Sequence, residues 1–252
     1  MDGISKRLAD LARGNEEYAE FSRRIVNTKQ QVLGVRMPDL RKLAKSVTGK
    51  IATANEVRNF MRLADKKVYE EVLLCGLVIG YAKLTDLEKI YLTRQYLRHV
   101  DSWGQIDTVV VKLKIESKTP HLHEGHLHEG STLMQNRELW WDFANECLGL
   151  PAEFTVRYGV IVMMANFIKG DKLYKVLRTL QTVRHEGYYV KMAIAWLYAT
   201  TAAVGDYKLT LHEATKLEPW TRRKALTKML ESYRFTPAQK AEIRALRATI
   251  TL

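Results

Sequence analysis

Cysteine is scarce in this sequence, with two residues among 252. Cys75 and Cys147 each lie in an apolar segment with helical spacing, so we expect buried, reduced thiols. Long hydrophobic runs are also lacking, and none reaches the length that spans a membrane. The opening segment, MDGISKRLADLARG, is amphipathic and charged and does not resemble a signal peptide. We therefore expect a cytoplasmic protein with no membrane partner.

The motifs of the commoner enzyme classes are missing. The sequence contains no glycine-rich phosphate loop, no Gly-x-Ser-x-Gly elbow, no Cys-x-x-Cys pair and no His-Glu-x-x-His motif. Alternating strand patterns are lacking too, because the apolar segment VIVMMANFI continues a helical pattern that starts at Phe154. Function therefore has to be inferred from polar and aromatic residues within apolar helices.

Basic residues are in clear excess. Lysine and arginine number 40 against 28 acidic residues, which gives a net charge of +12. This balance favours a polyanionic partner, with nucleic acid as the first candidate and an anionic membrane surface as the second. Hydrophobic residues make up 46% of the chain, so the basic surface accompanies an ordinary globular core.

Apolar residues recur three and four positions apart along most of the chain, which predicts an all-α protein. Helix-start signals occur at Thr85-Asp86, Asp101-Ser102, Thr221 and Thr236-Pro237. Two helices recur roughly every 35–45 residues, the rhythm of stacked helical-hairpin repeats. No break resembles a linker, so we predict one domain over 1–252. A compact irregular bundle is the alternative, whereas a solenoid would offer a basic concave face to a rod-like polyanion.

One segment interrupts this rhythm, at residues 118–138. It contains the tandem repeat HLHEGHLHEG, whose histidines and glutamates could hold a transition metal. These side chains are His121, His123, Glu124, His126, His128 and Glu129. Glycine, proline and serine within the segment instead favour a flexible loop that grew by duplication. We predict the loop, with no metal.

Four sets of polar or aromatic residues within the apolar helices are candidates for a functional site. They are Trp103 with Asp107, Arg157, Trp196 with Lys191, and the basic run at 220–228. Each has a structural explanation when taken alone: a core tryptophan, a paired arginine or a solvated helix face. Trp103 and Asp107 are one helical turn apart, so they would share a face of their helix.

Taken in order, five motifs resemble the HEAT-like-repeat DNA alkylation repair family, the AlkD-type alkylpurine DNA glycosylases. The motifs are VLGVRMPDLRKLAK (32–45), SWGQID (102–107), FTVRYGVI (154–161), YYVKMAIAWLYATTA (188–202) and TRRKALTKMLE (221–231). Their order, more than any one motif, carries the resemblance. It implies a curved superhelix of stacked antiparallel helical pairs with a concave basic face.

The resemblance also implies roles for individual residues. Trp103 and Trp196 would form an aromatic cleft against the sugar and backbone of the modified nucleotide, and Asp107 would be the essential carboxylate. The candidates for binding the DNA backbone are Arg157, Lys191, Arg222, Arg223, Lys224 and Lys228. The implied partner is double-stranded DNA, bound by a monomer at the nucleoid without a cofactor.

Elementary chemistry is compatible with these roles. Loss of an alkylated purine leaves positive, oxocarbenium-like charge on the deoxyribose, which a nearby carboxylate stabilises in a water-poor cleft. The same acid could orient the attacking water, and tryptophan faces favour a developing cation. A cationic lesion such as 3-methyladenine or 7-methylguanine is already a good leaving group. The family resemblance implies that the base need not enter a protein pocket, in contrast to base flipping.

The chain departs from the family pattern at several positions. The family usually has an aromatic residue where this chain has Ile25, tryptophan where it has Phe154, and arginine where it has Ala199. On either side of the cleft tryptophan the family usually has a tryptophan or similar residue, where this chain has Ser102, and an acid, where it has Gly104. Such changes remove cleft contacts but spare the carboxylate. Two alternatives therefore stand beside the glycosylase: a non-catalytic DNA-binding relative, and a scaffold for an acidic protein.

Overall fold

In the computed structural model of the protein, the described residues are 3–110 and 127–250, with side chains described from residue 135 onward in the second range. Fourteen α-helices and one 3₁₀ turn account for the regular structure in these ranges, and no strand occurs there. An isolated bridge joins Gln31 to Val68. The all-α prediction is confirmed, and VIVMMANFI is helical as expected.

The chain divides into two compact units, of which the first covers Met1–Trp140. Its first seven helices are α1 (Ile4–Ala12), α2 (Glu16–Val26), α3 (Met37–Thr48), α4 (Ala54–Leu63), α5 (Tyr69–Tyr81), α6 (Asp86–Leu97) and α7 (Trp103–Val110). Helix α5 is the centre of the unit, because it packs against α3, α4, α6 and α7. Apart from two acids in its first turn it is apolar on all sides, as expected for a helix buried by several neighbours.

Two acids interrupt the apolar surface of α5 and are buried. The carboxylate of Glu70 accepts hydrogen bonds from the backbone N–H groups of Leu33 (2.9 Å), Gly34 (2.8 Å) and Val35 (3.3 Å). Gly34 has φ of +90°, and a β-carbon there would lie 2.8 Å from the side chain of Ala19. Glycine is required at this turn, where α5 holds the first of the five motifs in place.

The second unit covers Trp141–Leu252, so the boundary between the units falls within α8 (Leu127–Leu148). Its other helices are α9 (Glu153–Asn166), α10 (Leu173–Thr182), α11 (Tyr188–Val204), α12 (Tyr207–Ala214), α13 (Pro219–Glu231) and α14 (Pro237–Ala248). Helix α11 is its centre and packs against α9, α12 and α13. Most of α11 is buried, whereas Tyr188 and Trp196 are exposed.

Helices two apart in the chain pack together within each unit. In the first unit α3 packs on α5 and α5 on α7, and in the second α9 packs on α11 and α11 on α13. This is the contact pattern of stacked helical hairpins. The contacts agree with the predicted repeat architecture. The concave basic face and the single domain over 1–252 stay predictions.

Most helix-start signals act as predicted. Thr85 and Thr236 cap α6 and α14 through capping boxes, and α7 begins directly after Ser102. The prediction at Thr221 is wrong, because α13 begins two residues earlier at Pro219. Glu218 caps that helix by accepting hydrogen bonds from the N–H groups of Trp220 (2.9 Å) and Thr221 (2.8 Å).

The predicted loop at 118–138 is replaced by helix over its second half. Residues 118–126 lie outside the described residues, but α8 begins at Leu127 and includes the rest of the segment. The physical reason is visible in the sequence: Leu133 and Met134 stand seven positions before Trp140 and Trp141, a spacing of about two helical turns, so the helical pattern of LWWDF extends backwards into the segment. Part of the tandem repeat is therefore helical.

The described part of the chain has neither a membrane-spanning helix nor a cluster of metal-binding side chains. No helix there is long and apolar enough to cross a membrane. No group of three or more His, Cys, Asp or Glu side chains suited to a metal ion occurs among the described side chains. The histidines of the tandem repeat lie beyond those side chains.

Candidate functional site

The first unit places Trp103 and Asp107 one turn apart on α7, both half-buried. The indole N–H of Trp103 donates to the backbone oxygen of Ile25, at 3.0 Å. The hydroxyl of Ser102 donates to the backbone oxygen of Val26, at 2.5 Å. Both contacts join the first turn of α7 to the last turn of α2, so the aromatic ring has a fixed position.

A second set of hydrogen bonds holds the segment before α7. The carboxylate of Asp101 accepts from the Thr28 hydroxyl and from the backbone N–H of Lys29 (2.8 Å). The side-chain amide of Gln105 donates to the side-chain oxygen of Gln30 at 2.6 Å and accepts from the N–H of Asp101 at 3.1 Å. Asp107 therefore projects from a helix whose start is immobilised, which is what a preorganised charge requires.

Gly104, one of the departures from the family pattern, has no free space where a side chain would project. A β-carbon at this position would lie 2.5 Å from the hydroxyl oxygen of Tyr69, which is far inside contact distance. Tyr69 is buried in α5, and burial raises the pKa of its phenol above the usual range, against the lowering effect of its hydrogen bond with Ser102. The family's acid has no room here because a tyrosine hydroxyl occupies the space.

In the second unit Arg157 lies on α9, with 5% of its surface exposed. Its guanidinium donates to the backbone oxygen of Tyr189, at 2.8 Å. Glu153, one turn earlier, accepts from the backbone N–H of the same residue at 2.6 Å. Arg157 and Glu153 together hold the first turn of α11. The predicted contact of Arg157 with a phosphate group stays a prediction.

Trp196 and Lys191 both lie on α11. The indole of Trp196 is 40% exposed, so it is available to a ligand. The ammonium of Lys191 lies 2.6 Å from the carboxylate of Glu186, and this hydrogen bond raises the pKa of the lysine. Ala199, where the family has an arginine, is buried.

The basic run on α13 separates into two pairs. Arg222 donates to the backbone oxygen of Thr215 and to the hydroxyl of Thr249, both at 3.2 Å. Arg223 donates to the backbone oxygen of Ile250 at 3.0 Å. These two arginines thus bind the residues that follow α14. The other pair is Lys224, whose ammonium lies 5.4 Å from the centre of the Trp220 ring, and the half-buried Lys228.

Sequence reasoning missed the residues that position the candidates. Tyr69 and Glu70 start α5, and Glu153 starts α9. Each of them contacts a residue that is distant in the sequence: Gly104, Leu33 and Tyr189, respectively. A usable signal existed for one of them, because the acid pair in YEEVLLCGLVIGY stands in an otherwise apolar helix. Buried carboxylates of this kind require several hydrogen-bond donors.

Comparison with known protein families returns one finding. A family model described as DNA alkylation repair enzyme matches residues 4–229. The match includes all the candidate residues and ends within α13, before α14 begins. Comparison with curated proteins gives no match.

Proposed function

Since the chain belongs to the DNA alkylation repair enzyme family, we propose that it is a DNA N-glycosylase for cationic N-alkylpurines in duplex DNA. The substrates proposed are 3-methyladenine and 7-methylguanine. The observation that supports this most is the position of Trp103 and Asp107, one turn apart on a helix whose start is immobilised by hydrogen bonds. A carboxylate on a rigid element is suited to stabilising charge that develops during a reaction.

Asp107 is proposed to act on the sugar. The cationic purine leaves with the electron pair of the C1′–N bond and becomes neutral, so positive charge passes to the deoxyribose. The carboxylate stabilises that charge and orients a water molecule, whose oxygen bonds to C1′ as its proton is released. Trp103 presents an aromatic face to the same developing cation.

The second unit is proposed to bind the DNA backbone. Trp196 supplies an exposed ring, and Lys191, Lys224 and Lys228 supply positive charge. Arg222 and Arg223 are proposed to bind the backbone as well, with the guanidinium N–H groups that are not used in their contacts with Thr249 and Ile250. Arg157 is proposed to bind a phosphate and, through the hydrogen bond from its buried guanidinium to the backbone oxygen of Tyr189, to hold the first turn of α11. The protein is proposed to work as a monomer at the nucleoid.

A base-release assay tests the proposed reaction. The wild-type protein is incubated with duplex DNA carrying methylated purines, and the free bases are separated by chromatography. We expect release of 3-methyladenine or 7-methylguanine at the same rate with and without a chelator, because the step needs no metal. No release at high protein excess would contradict the glycosylase proposal and favour the non-catalytic DNA-binding relative.

The salt dependence of binding tests the partner. If cationic side chains bind phosphates, the logarithm of affinity for duplex DNA falls linearly with the logarithm of salt concentration, by about 0.9 for each phosphate contact. The measurement is a titration of labelled duplex DNA at several salt concentrations. An affinity that stays constant with salt would rule out backbone binding and favour the scaffold for an acidic protein.

A further inference from the structure

Four aromatic rings from three helices form a continuous series in the second unit. Phe154 of α9 contacts Tyr189, with ring centres 5.4 Å apart. Tyr189 meets Tyr188 edge to face at 5.2 Å, and Tyr188 meets Trp220 of α13 edge to face at 5.8 Å. We call Tyr188 and Trp220, the outer end of this series, the stacking pair.

The stacking pair is both fixed and accessible. Tyr188 is 55% exposed, although neighbouring rings contact it on two sides. The backbone beneath it is held as well, because Arg157 and Glu153 bind the next residue, Tyr189. A rigid ring that keeps an accessible surface loses little conformational entropy when a flat ligand stacks on it.

Charge around the stacking pair favours an anion. The ammonium of Lys224 lies over the Trp220 ring, and Lys191 is one turn after Tyr188 on α11. Glu186 neutralises Lys191 in part. The carboxylate of Glu218 is directed into the first turn of α13, where it accepts backbone hydrogen bonds. Aromatic faces beside lysines are the usual combination for single-stranded nucleic acid.

We propose that the stacking pair binds an unpaired nucleobase of the DNA, with Lys224 at the adjoining phosphate. In a duplex both faces of each internal base are covered by its neighbours, so away from the duplex ends only an unpaired nucleotide can offer a free face. Tyr188 lies eight residues before Trp196, which is about 12 Å along α11. That distance corresponds to about three or four base-pair steps. The preferred DNA thus carries an unpaired nucleotide within a few positions of the nucleotide at Trp196.

This inference rests on the proposed function only in taking DNA as the ligand. Its test uses unmethylated DNA, so it does not depend on base release. Two labelled duplexes are compared, one blunt and one with a single-stranded extension that contains 2-aminopurine, a base whose fluorescence falls on stacking. The wild-type protein is expected to bind the extended duplex about tenfold more tightly and to quench the 2-aminopurine.

Substitutions of Tyr188 test whether its aromatic ring causes the preference for the extended duplex. Tyr188→Leu keeps an apolar side chain but removes the aromatic face, so it should lose the tenfold preference and the quenching, whereas Tyr188→Phe should keep both. Tyr174→Leu is the matched control, since Tyr174 is 51% exposed on α10 and lies outside the ring series. Circular dichroism verifies that each variant is folded.

Two results would overturn the inference. One is equal affinity of the wild-type protein for the blunt and extended duplexes, a comparison that needs no variant. The other is retention of the preference by a folded Tyr188→Leu protein. Failure of the base-release assay together with a preserved preference for the extension would instead overturn the glycosylase and leave the stacking pair standing.

Discussion

Asp107→Asn is expected to lower the rate of base release by about two to three orders of magnitude, the usual effect of removing one group that stabilises transition-state charge. Asparagine has nearly the same volume and keeps α7 intact, but it carries no negative charge to oppose the oxocarbenium ion. Affinity for undamaged duplex DNA should stay close to that of the wild-type protein, because the carboxylate contributes nothing favourable to phosphate binding. Single-turnover release and a binding titration measure the two quantities.

Two controls separate chemistry from stability in this experiment. Asp142→Asn removes an exposed acid on α8 and should leave base release unchanged. Asp101→Asn weakens the contacts with Thr28 and Lys29 and should lower the free energy of unfolding. If Asp107→Asn lost DNA affinity as strongly as base release, or melted like the Asp101 variant, its carboxylate would be structural.

Gly104→Ala is expected to lower the free energy of unfolding by about 2 kcal/mol, a typical cost of overpacking a core. The added methyl group would lie 2.5 Å from the hydroxyl oxygen of Tyr69, and the buried tyrosine ring cannot move aside easily. Urea unfolding measures the change. The matched control is Gly49→Ala at the end of α3, where a β-carbon meets atoms no closer than 3.5 Å and alanine should be tolerated.

A double substitution identifies the colliding atom. Tyr69→Phe removes only the hydroxyl, so Gly104→Ala should cost clearly less in that background than in the wild-type protein. The difference is the coupling free energy of the pair. An equal cost in both backgrounds, or a cost no greater than that of Gly49→Ala, would show that the hydroxyl does not exclude side chains from position 104.

Local chemistry explains which parts of the fold could be predicted. A threonine with Glu or Gln three residues later caps a helix by bonds within one turn, and α6 and α14 start where such pairs stand. The all-α class likewise follows from apolar spacing. The start of α13 was predicted wrongly because Thr221 is the more familiar capping residue. Pro219 suits the first helical position and Glu218 caps the helix, so α13 begins two residues earlier.

Contacts between distant segments explain what could not be predicted. An acid does not fit at position 104 because Tyr69, in another helix, fills the space. The periodicity of the sequence does not show that these two residues are neighbours. Arg222 and Arg223 read as part of a DNA-binding run, yet they contact residues 249–250. The residue types in the candidate site were recognisable from sequence. Their partners required the packed structure.

Both thiols of the chain have a bearing on the chemical setting in which alkylation repair takes place. Electrophiles that methylate purines also attack thiolates, which are stronger nucleophiles than thiols. Cys75 and Cys147 are buried, and burial raises the pKa of Cys75 to about 12. Folded protein therefore presents no accessible thiolate to the reagents that damage its DNA. We therefore expect the two cysteines of the folded protein to react slowly with methylating agents.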